Sequence, residues 1–249
     1  MAVRVEREGA VQVLTMDRPE RRNAFDGAMT QALDAALNEF EDDDSVRAAV
    51  LTGGPDFFSA GTDIRVWAGE PTERGGPYGI AKRRLGKPLI AAVEGAAVGG
   101  GFEIALASTM IVASRTAYFS FPETGLGLVA ECGGLFRAPR ALPLNVAREM
   151  LLTGEQLPAQ RAYDLGLVNR LTEPGAAVAE ALAIAERIAG HAPIAVRETL
   201  RAVEAAYPAN DDRRWIDTAT AKEGARASAD AAEGVAAFLA KRPPRWSGN

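Results

Sequence analysis

Two glutamates frame the chemistry open to this chain. Glu103 closes the run Ala96-Ala97-Val98-Gly99-Gly100-Gly101-Phe102-Glu103, and Glu123 follows Phe121-Pro122. The first stands after an apolar stretch and a glycine cluster. There a backbone can approach a ligand and a helix can begin with unpaired N–H groups. Such N–H groups polarise a carbonyl oxygen. Two carboxylates beside it can take and return protons. Plainer readings stand alongside. The glycines also fit a tight strand-to-helix turn, Glu103 fits a first-turn acid facing the helix dipole, and Glu123 fits a solvated turn. Spacing does not bring the two acids together; a fold must.

A second glycine site, Ser59-Ala60-Gly61-Thr62-Asp63, could supply another N–H donor or be an ordinary turn. Glu131, in Ala130-Glu131-Cys132-Gly133-Gly134, is a third acid with mostly apolar neighbours. That points to partial burial, which is costly for a carboxylate without a partner, or to a helix-start acid. Cys132 reads as a small buried apolar group, and His191 as a surface or capping residue. Gly125-Leu126-Gly127-Leu128-Val129-Ala130 fits a loose dinucleotide fingerprint, but no amphipathic helix opens on it. The chain has no G-x-S-x-G elbow and no phosphate-binding G-x-x-x-x-G-K-[ST] loop.

The elements that must hold these residues follow from periodicity. Residues 3–16 alternate as a hairpin turning at Glu8-Gly9. Met29, Leu33, Leu37 and Phe40 mark an amphipathic helix. Ala48–Thr52 and Leu89–Val93 read as buried strands, and 68–79 as a mobile loop. Gly95–Gly101 reads as a turn into a helix over about 100–108. Strands follow at 111–113 and 118–121, and a helix at 147–152. The repeated strand–turn–helix unit predicts an α/β core. Beyond about residue 176 only helices are predicted, at 178–188, 194–206 and 215–239. Their alanine-rich stripes need a partner, in this chain or another subunit.

At 249 residues with 47% apolar content, the chain can bury a sizeable core. A net charge of −5 argues against a sequence-independent nucleic-acid binder. One cysteine and one histidine permit no intrachain disulfide and no His/Cys zinc site. The charged, alternating N-terminus has no signal-peptide h-region, and no apolar run reaches the ~18 residues of a membrane span. A cytoplasmic protein with no membrane partner is the expectation.

The run Lys87-Pro88-Leu89-Ile90-Ala91-Ala92-Val93-Glu94-Gly95, continuing to Glu103, resembles the signature of the crotonase (enoyl-CoA hydratase/isomerase) superfamily. Arg18-Pro19 with Asn23-Ala24, Phe58 to Asp63, Phe121-Pro122-Glu123 with Gly125-Leu126-Gly127, and Leu152-Thr153-Gly154 are similar to it as well. So are Ala162 to Val168 and the ending Glu233 to Phe238 with Lys241-Arg242. The resemblance covers nearly the whole chain in order. It implies a β/α spiral core (1–189) and a C-terminal helical region (190–249) used in a homotrimer or dimer of trimers. It implies an acyl-CoA thioester substrate, with coenzyme A entering as part of the substrate and no separate cofactor.

The same resemblance implies an oxyanion hole from the N–H groups of Thr62 and Gly100. Glu103 would hold or deprotonate water, and Glu123 would deliver the α proton. Ala60, Asp63 and Ile64 fall in the implied substrate-binding segment, and Phe238 and Lys241 in a neighbouring subunit's CoA site. Arg65 and Lys82 either meet CoA phosphates or are solvated charges. Thr62 stands where alanine is usual, Glu94 where many members have asparagine, and Glu131 where fatty-acid hydratases have glycine. An acid at 131, with Leu135 to Pro143, resembles carnitinyl-CoA dehydratase-like members. It could bind a cationic acyl group or shuttle a proton, as in dienoyl-CoA isomerases. Hydration or dehydration leads. Isomerisation through Glu131 and non-catalytic acyl-CoA binding are the alternatives.

Overall fold

The computed structural model describes residues 2–206 and 211–248. β1 (Val3–Glu8) and β2 (Val11–Met16) form the expected antiparallel hairpin, turning through Gly9 in the left-handed region. α1 (Gly27–Asp42) starts on Asp26, whose carboxylate accepts from the Met29 N–H. Its buried face is the one the periodicity marks: Met29, Leu33, Leu37 and Phe40. β3 (Ala48–Thr52) and β4 (Leu89–Val93) are buried along their whole length, as their unbroken apolar runs require.

Next come β5 (Ala96–Val98), α2 (Gly100–Ala107), β6 (Met110–Ser114), β7 (Tyr118–Ser120), α3 (Gly134–Ala141) and α4 (Leu144–Thr153). β8 (Leu157–Pro158), α5 (Ala159–Asp164), β9 (Arg170–Thr172) and α6 (Ala177–Ala189) complete the core. Six strands form one sheet in the order β1-β2-β3-β4-β6-β9, parallel except for the hairpin. β5, β7 and β8 form a second, smaller sheet. α6 covers one face of the large sheet with Ala177, Ala181, Ala185 and Ala189, which meet Val11, Val50, Ile90 and Val112. The other face carries the main core, built on Phe25, Phe58, Phe102, Phe119 and Phe121.

Several expectations change. The residues read as a turn at 95–101 contain β5. The helix read over 215–239 is two, α8 (Asp211–Arg226) and α9 (Ala229–Leu239). Ser228 divides them by accepting from the Ala231 N–H, so the backbone leaves the helix there. α7 (Pro193–Ala206) precedes them. Residues 68–79 are not a free loop throughout. Thr72 bonds Asp34 at 2.7 Å, and Tyr78 is buried with φ +57°. Just beyond, Arg83 is buried between α1 residues Asp34 (2.6 Å), Asn38 (2.9 Å) and Glu41. Those charge-assisted bonds tie the segment to α1. Glu94, unusual by the resemblance, is 3% exposed and accepts from the Ala177 N–H. It satisfies an otherwise unpaired donor at the start of α6.

Candidate active site

The small sheet brings the two glutamates together. β5 lies parallel to β7, with Val98 opposite Ser120, and the Gly99 N–H donates to Ser120 O at 2.9 Å. Past that register β5 turns into α2, which carries Glu103, while β7 runs on through Phe121-Pro122 to Glu123. Gly99 has φ +54°, and a Cβ there would lie 2.9 Å from Glu123 Oε1. Only glycine accommodates both the turn and the nearby carboxylate.

Glu103 is 2% exposed. Its Oε1 accepts from the Cys132 N–H at 2.7 Å and the Gly134 N–H at 2.8 Å, at the entry to α3. Burial pushes its carboxyl up to about 7, with the two N–H donors pulling the other way. Glu123 Oε2 is sealed from solvent and has no hydrogen-bond partner among the described residues. Burial, with the Glu103 charge second, pushes Glu123 up to about 8. The acids titrate as a pair, and the two N–H donors favour the charged form of Glu103 over that of Glu123, whose Oε2 has no such partner.

Both carboxyls hold their protons more tightly folded than unfolded. Their contribution to stability is therefore complete below about pH 4.5 and is lost as pH rises through 7 to 8. A Glu103→Gln/Glu123→Gln double variant removes that loss. At pH 8.5 it should unfold with a free energy at least about 2 kcal/mol above the parent, and at pH 4 with no such gain. Urea melts at the two pH values measure this, and an equal difference at both would refute the assignment.

The second glycine segment packs against the first. The Phe58 and Ser59 N–H groups both donate to Ala96 O, and the Val98 N–H donates to Ser59 O at 2.9 Å, so residues 58–62 run beside β5. Gly61 has φ +79°, and a Cβ there would lie 2.7 Å from Gly100 N and 2.8 Å from Val98 O. Neither the Thr62 nor the Gly100 N–H donates to an acceptor among the described residues. Two free donors thus stand side by side, one on a loop and one at the N-terminus of α2. The Tyr78 hydroxyl bonds Thr62 Oγ1 at 2.6 Å and packs where a Cβ of Gly100 would be. Ser59 O occupies the equivalent place at Gly101.

One pocket contains all of this. Thr62, Gly100, Glu103, Glu123 and Glu131 line it, together with Ala60 and Ile64. Its remaining wall is apolar, from Leu126, Leu128 and Val129, with Trp67, Tyr78 and Arg226 closing it. It can hold a carbonyl oxygen on two N–H groups and place neighbouring carbons between two acids, one bonded to two backbone N–H groups and one with an unpartnered oxygen.

A family model described as enoyl-CoA hydratase/isomerase matches residues 6–249. The chain belongs to the enoyl-CoA hydratase/isomerase family. A carnitinyl-CoA dehydratase of Salmonella typhi is 38% identical over 259 aligned positions, covering 99% of this chain and 98% of its own. A carnitinyl-CoA hydratase structure from Mycobacterium avium superposes with a TM-score of 0.93 at 39% identity, covering 100% and 99% of the two chains. An enoyl-CoA hydratase structure from Mycobacterium tuberculosis H37Rv gives 0.80 at 40% identity, with the same coverage. The crotonase-type α/β fold expected from the sequence is therefore the fold observed.

Within this family member, some residues marked from sequence lie apart from the pocket lining. Asp63 pairs with Arg18 at 3.1 Å, steadying the segment rather than facing the cavity. Phe238 and Lys241, at and beyond the end of α9, are exposed. Arg65 is exposed, and Lys82 lies 5.1 Å from the Trp215 ring centroid. Glu131 is partly buried as expected, but it precedes α3 rather than starting it. Its carboxylate pairs with Lys222 at 3.1 Å and Arg226 at 3.0 Å from α8. Sequence reasoning missed Trp67, Tyr78, Lys222 and Arg226. The usable signals were an aromatic set among glycines at 75–79 and two cations four apart on one helix face. His191 is exposed and Cys132 is buried and free, as read.

Proposed function

We propose that this protein adds water to, or removes it from, the α,β double bond of an acyl-CoA thioester. One observation carries the proposal: Glu103 and Glu123 line the same pocket as the two unpaired N–H groups of Thr62 and Gly100. The thioester oxygen accepts from both N–H groups, which stabilise the negative charge that builds there as the β carbon is attacked. The Glu103 carboxylate takes a proton from water, and the oxygen bonds to the β carbon. The protonated Glu123 gives its proton to the α carbon, so H and OH are added and the pair ends with its protons exchanged. Elimination runs the same steps backwards. The hydrogen bonding supports these starting states: two backbone N–H groups stabilise the Glu103 carboxylate, whereas Glu123 Oε2 has no partner among the described residues to hold a charge. Coenzyme A comes with the substrate.

Isomerisation through Glu131 is less favoured, because two cations already hold that carboxylate. The test is a panel of enoyl- and 3-hydroxyacyl-CoA thioesters, crotonyl-CoA and carnitinyl-CoA among them, followed by mass spectrometry. Gain or loss of 18 mass units, the mass of water, is expected for at least one thioester. A double-bond shift without water exchange, or no turnover at all, counts against it.

We extend the reading to a homotrimer or dimer of trimers, with 1–189 as core and 190–249 as the assembling region. α7 has no buried residue and exposes Ile194 and Val203, which supports a partner surface there. Sedimentation velocity returning only monomer at micromolar concentration would contradict it. No helix among the described residues is long and apolar enough to cross a membrane. A cytoplasmic site of action is part of the same proposal.

A further inference from the structure

One corner of the pocket carries an arrangement that the acid–base chemistry does not use. Trp67 and Glu131 both line the cavity. An aromatic face beside a carboxylate is a common receptor for a quaternary ammonium. Here the chain's own cation fills that receptor. The Arg226 guanidinium carbon stands 5.1 Å from the Trp67 ring centroid, and its Nη2 lies 3.0 Å from Glu131 Oε1. Lys222 Nζ reaches the same oxygen at 3.1 Å. One carboxylate against two cations leaves this corner with a net charge of +1 (−1 + 2). Trp67 itself has φ +60°, a conformation a bulky residue adopts only when its surroundings hold it.

We infer that Arg226 is a specificity-determining residue: it plugs a built-in cation receptor and so sets the pocket against acyl groups that end in a quaternary ammonium. Such a group must lift Arg226 off both Trp67 and Glu131 and then sit beside Lys222. An uncharged alkyl end displaces nothing. Without the guanidinium, the Trp67 face is open and Glu131 keeps only Lys222, so the preference shifts toward the cationic end. The inference rests on the acyl-CoA reading above. It would make carnitinyl-type thioesters, whose acyl group carries a trimethylammonium, poor ligands for this chain.

The test uses two saturated thioesters, butyryl-CoA and 4-(trimethylammonio)butyryl-CoA, which have no double bond to hydrate and no hydroxyl to lose. Their Kd values are measured by titration calorimetry on the parent protein, on Arg226→Met and Arg226→Gln, and on Arg226→Met/Trp67→Leu. The parent should bind butyryl-CoA at least about tenfold more tightly, a difference of about 1.4 kcal/mol. Either single variant should shift the ratio toward the cationic thioester at least about fivefold, and loss of Trp67 should take that shift away. Equal or tighter binding of the cationic thioester by the parent overturns the inference. So does a ratio that moves less than about fivefold in both single variants. Water gain or loss by the parent is followed separately across the same enoyl- and 3-hydroxyacyl-CoA panel. Selective binding with no member of that panel gaining or losing water removes the hydro-lyase reading and keeps the inference. Water exchange with an unmoved ratio does the reverse, and no binding of either saturated thioester overturns the inference.

Discussion

Glu123→Gln is expected to lower kcat for water addition about 10³-fold and to leave the Kd for a saturated acyl-CoA within about threefold of the parent. The replacement keeps the size and the contact with Gly99, yet it has no proton to give the α carbon. Positioned general acids are worth roughly 10² to 10⁴ in rate, and this one acts on a carbon, where no water can substitute easily. Glu123 Oε2 has no hydrogen-bond partner among the described residues, so no structural bond is lost with it. The variant should melt no lower than the parent at pH 8.5, because the amide spares the fold a buried charge. Lost turnover with retained binding and retained stability is the signature of a proton donor. A kcat within tenfold of the parent, under conditions where the chemical step is measured, would assign the proton elsewhere.

Gly61→Ala is expected to damage the site from the opposite direction. The new methyl group would sit 2.7 Å from Gly100 N and 2.8 Å from Val98 O, both backbone atoms without a rotamer to change. Its φ of +79° adds the left-handed penalty of about 1 kcal/mol for a residue with a Cβ. The segment must move, and the Thr62 N–H moves away from its partner at Gly100. Loss of one such donor costs about 10² to 10³ in kcat. The variant should also lose stability, by about 2 kcal/mol. Gly86→Ala is the control, since a Cβ there meets nothing within 4 Å and the backbone is not left-handed. Gly61→Ala with parental kcat and parental Tm would mean that the two glycine segments do not form one donor pair.

Much of the frame was legible from periodicity. The hairpin, α1, β3, β4 and α2 fall where alternation, the helical stripe and the unbroken apolar runs place them, because each buries a face that its own sequence defines. β5, β8 and β9 have three residues or fewer, too short for a period to show. The meeting of Glu103 with Glu123 depends on the three-residue register between β5 and β7, so residue types and spacing alone left it open. The residues alone marked two glycine segments as candidate N–H donors, and only the family resemblance singled out Thr62 and Gly100 as the proposed oxyanion pair. The ion pairs of Glu131 span 95 residues in the case of Arg226 and depend on how α8 folds back over the pocket, which no local pattern encodes. Tyr78 was hidden inside a glycine- and proline-rich stretch that reads as loop by composition and is packed by tertiary contact.

The crowding around the glycine turn has a kinetic consequence. Gly99, Gly100 and Gly101 are pressed by Glu123, Tyr78 and Ser59 in turn, so the strand-to-helix turn has nowhere to relax. Water dipoles around a free thioester must swing round as charge gathers on its oxygen, and that rearrangement is a large part of the solution barrier. In the proposed reaction, the Gly100 N–H belongs to a turn whose surroundings leave no room for a side chain, so the donor stands in place before a thioester arrives. If that donor holds the thioester oxygen as proposed, the cost of aligning it is met once per folding event rather than once per turnover, which lowers the reorganisation energy of the step.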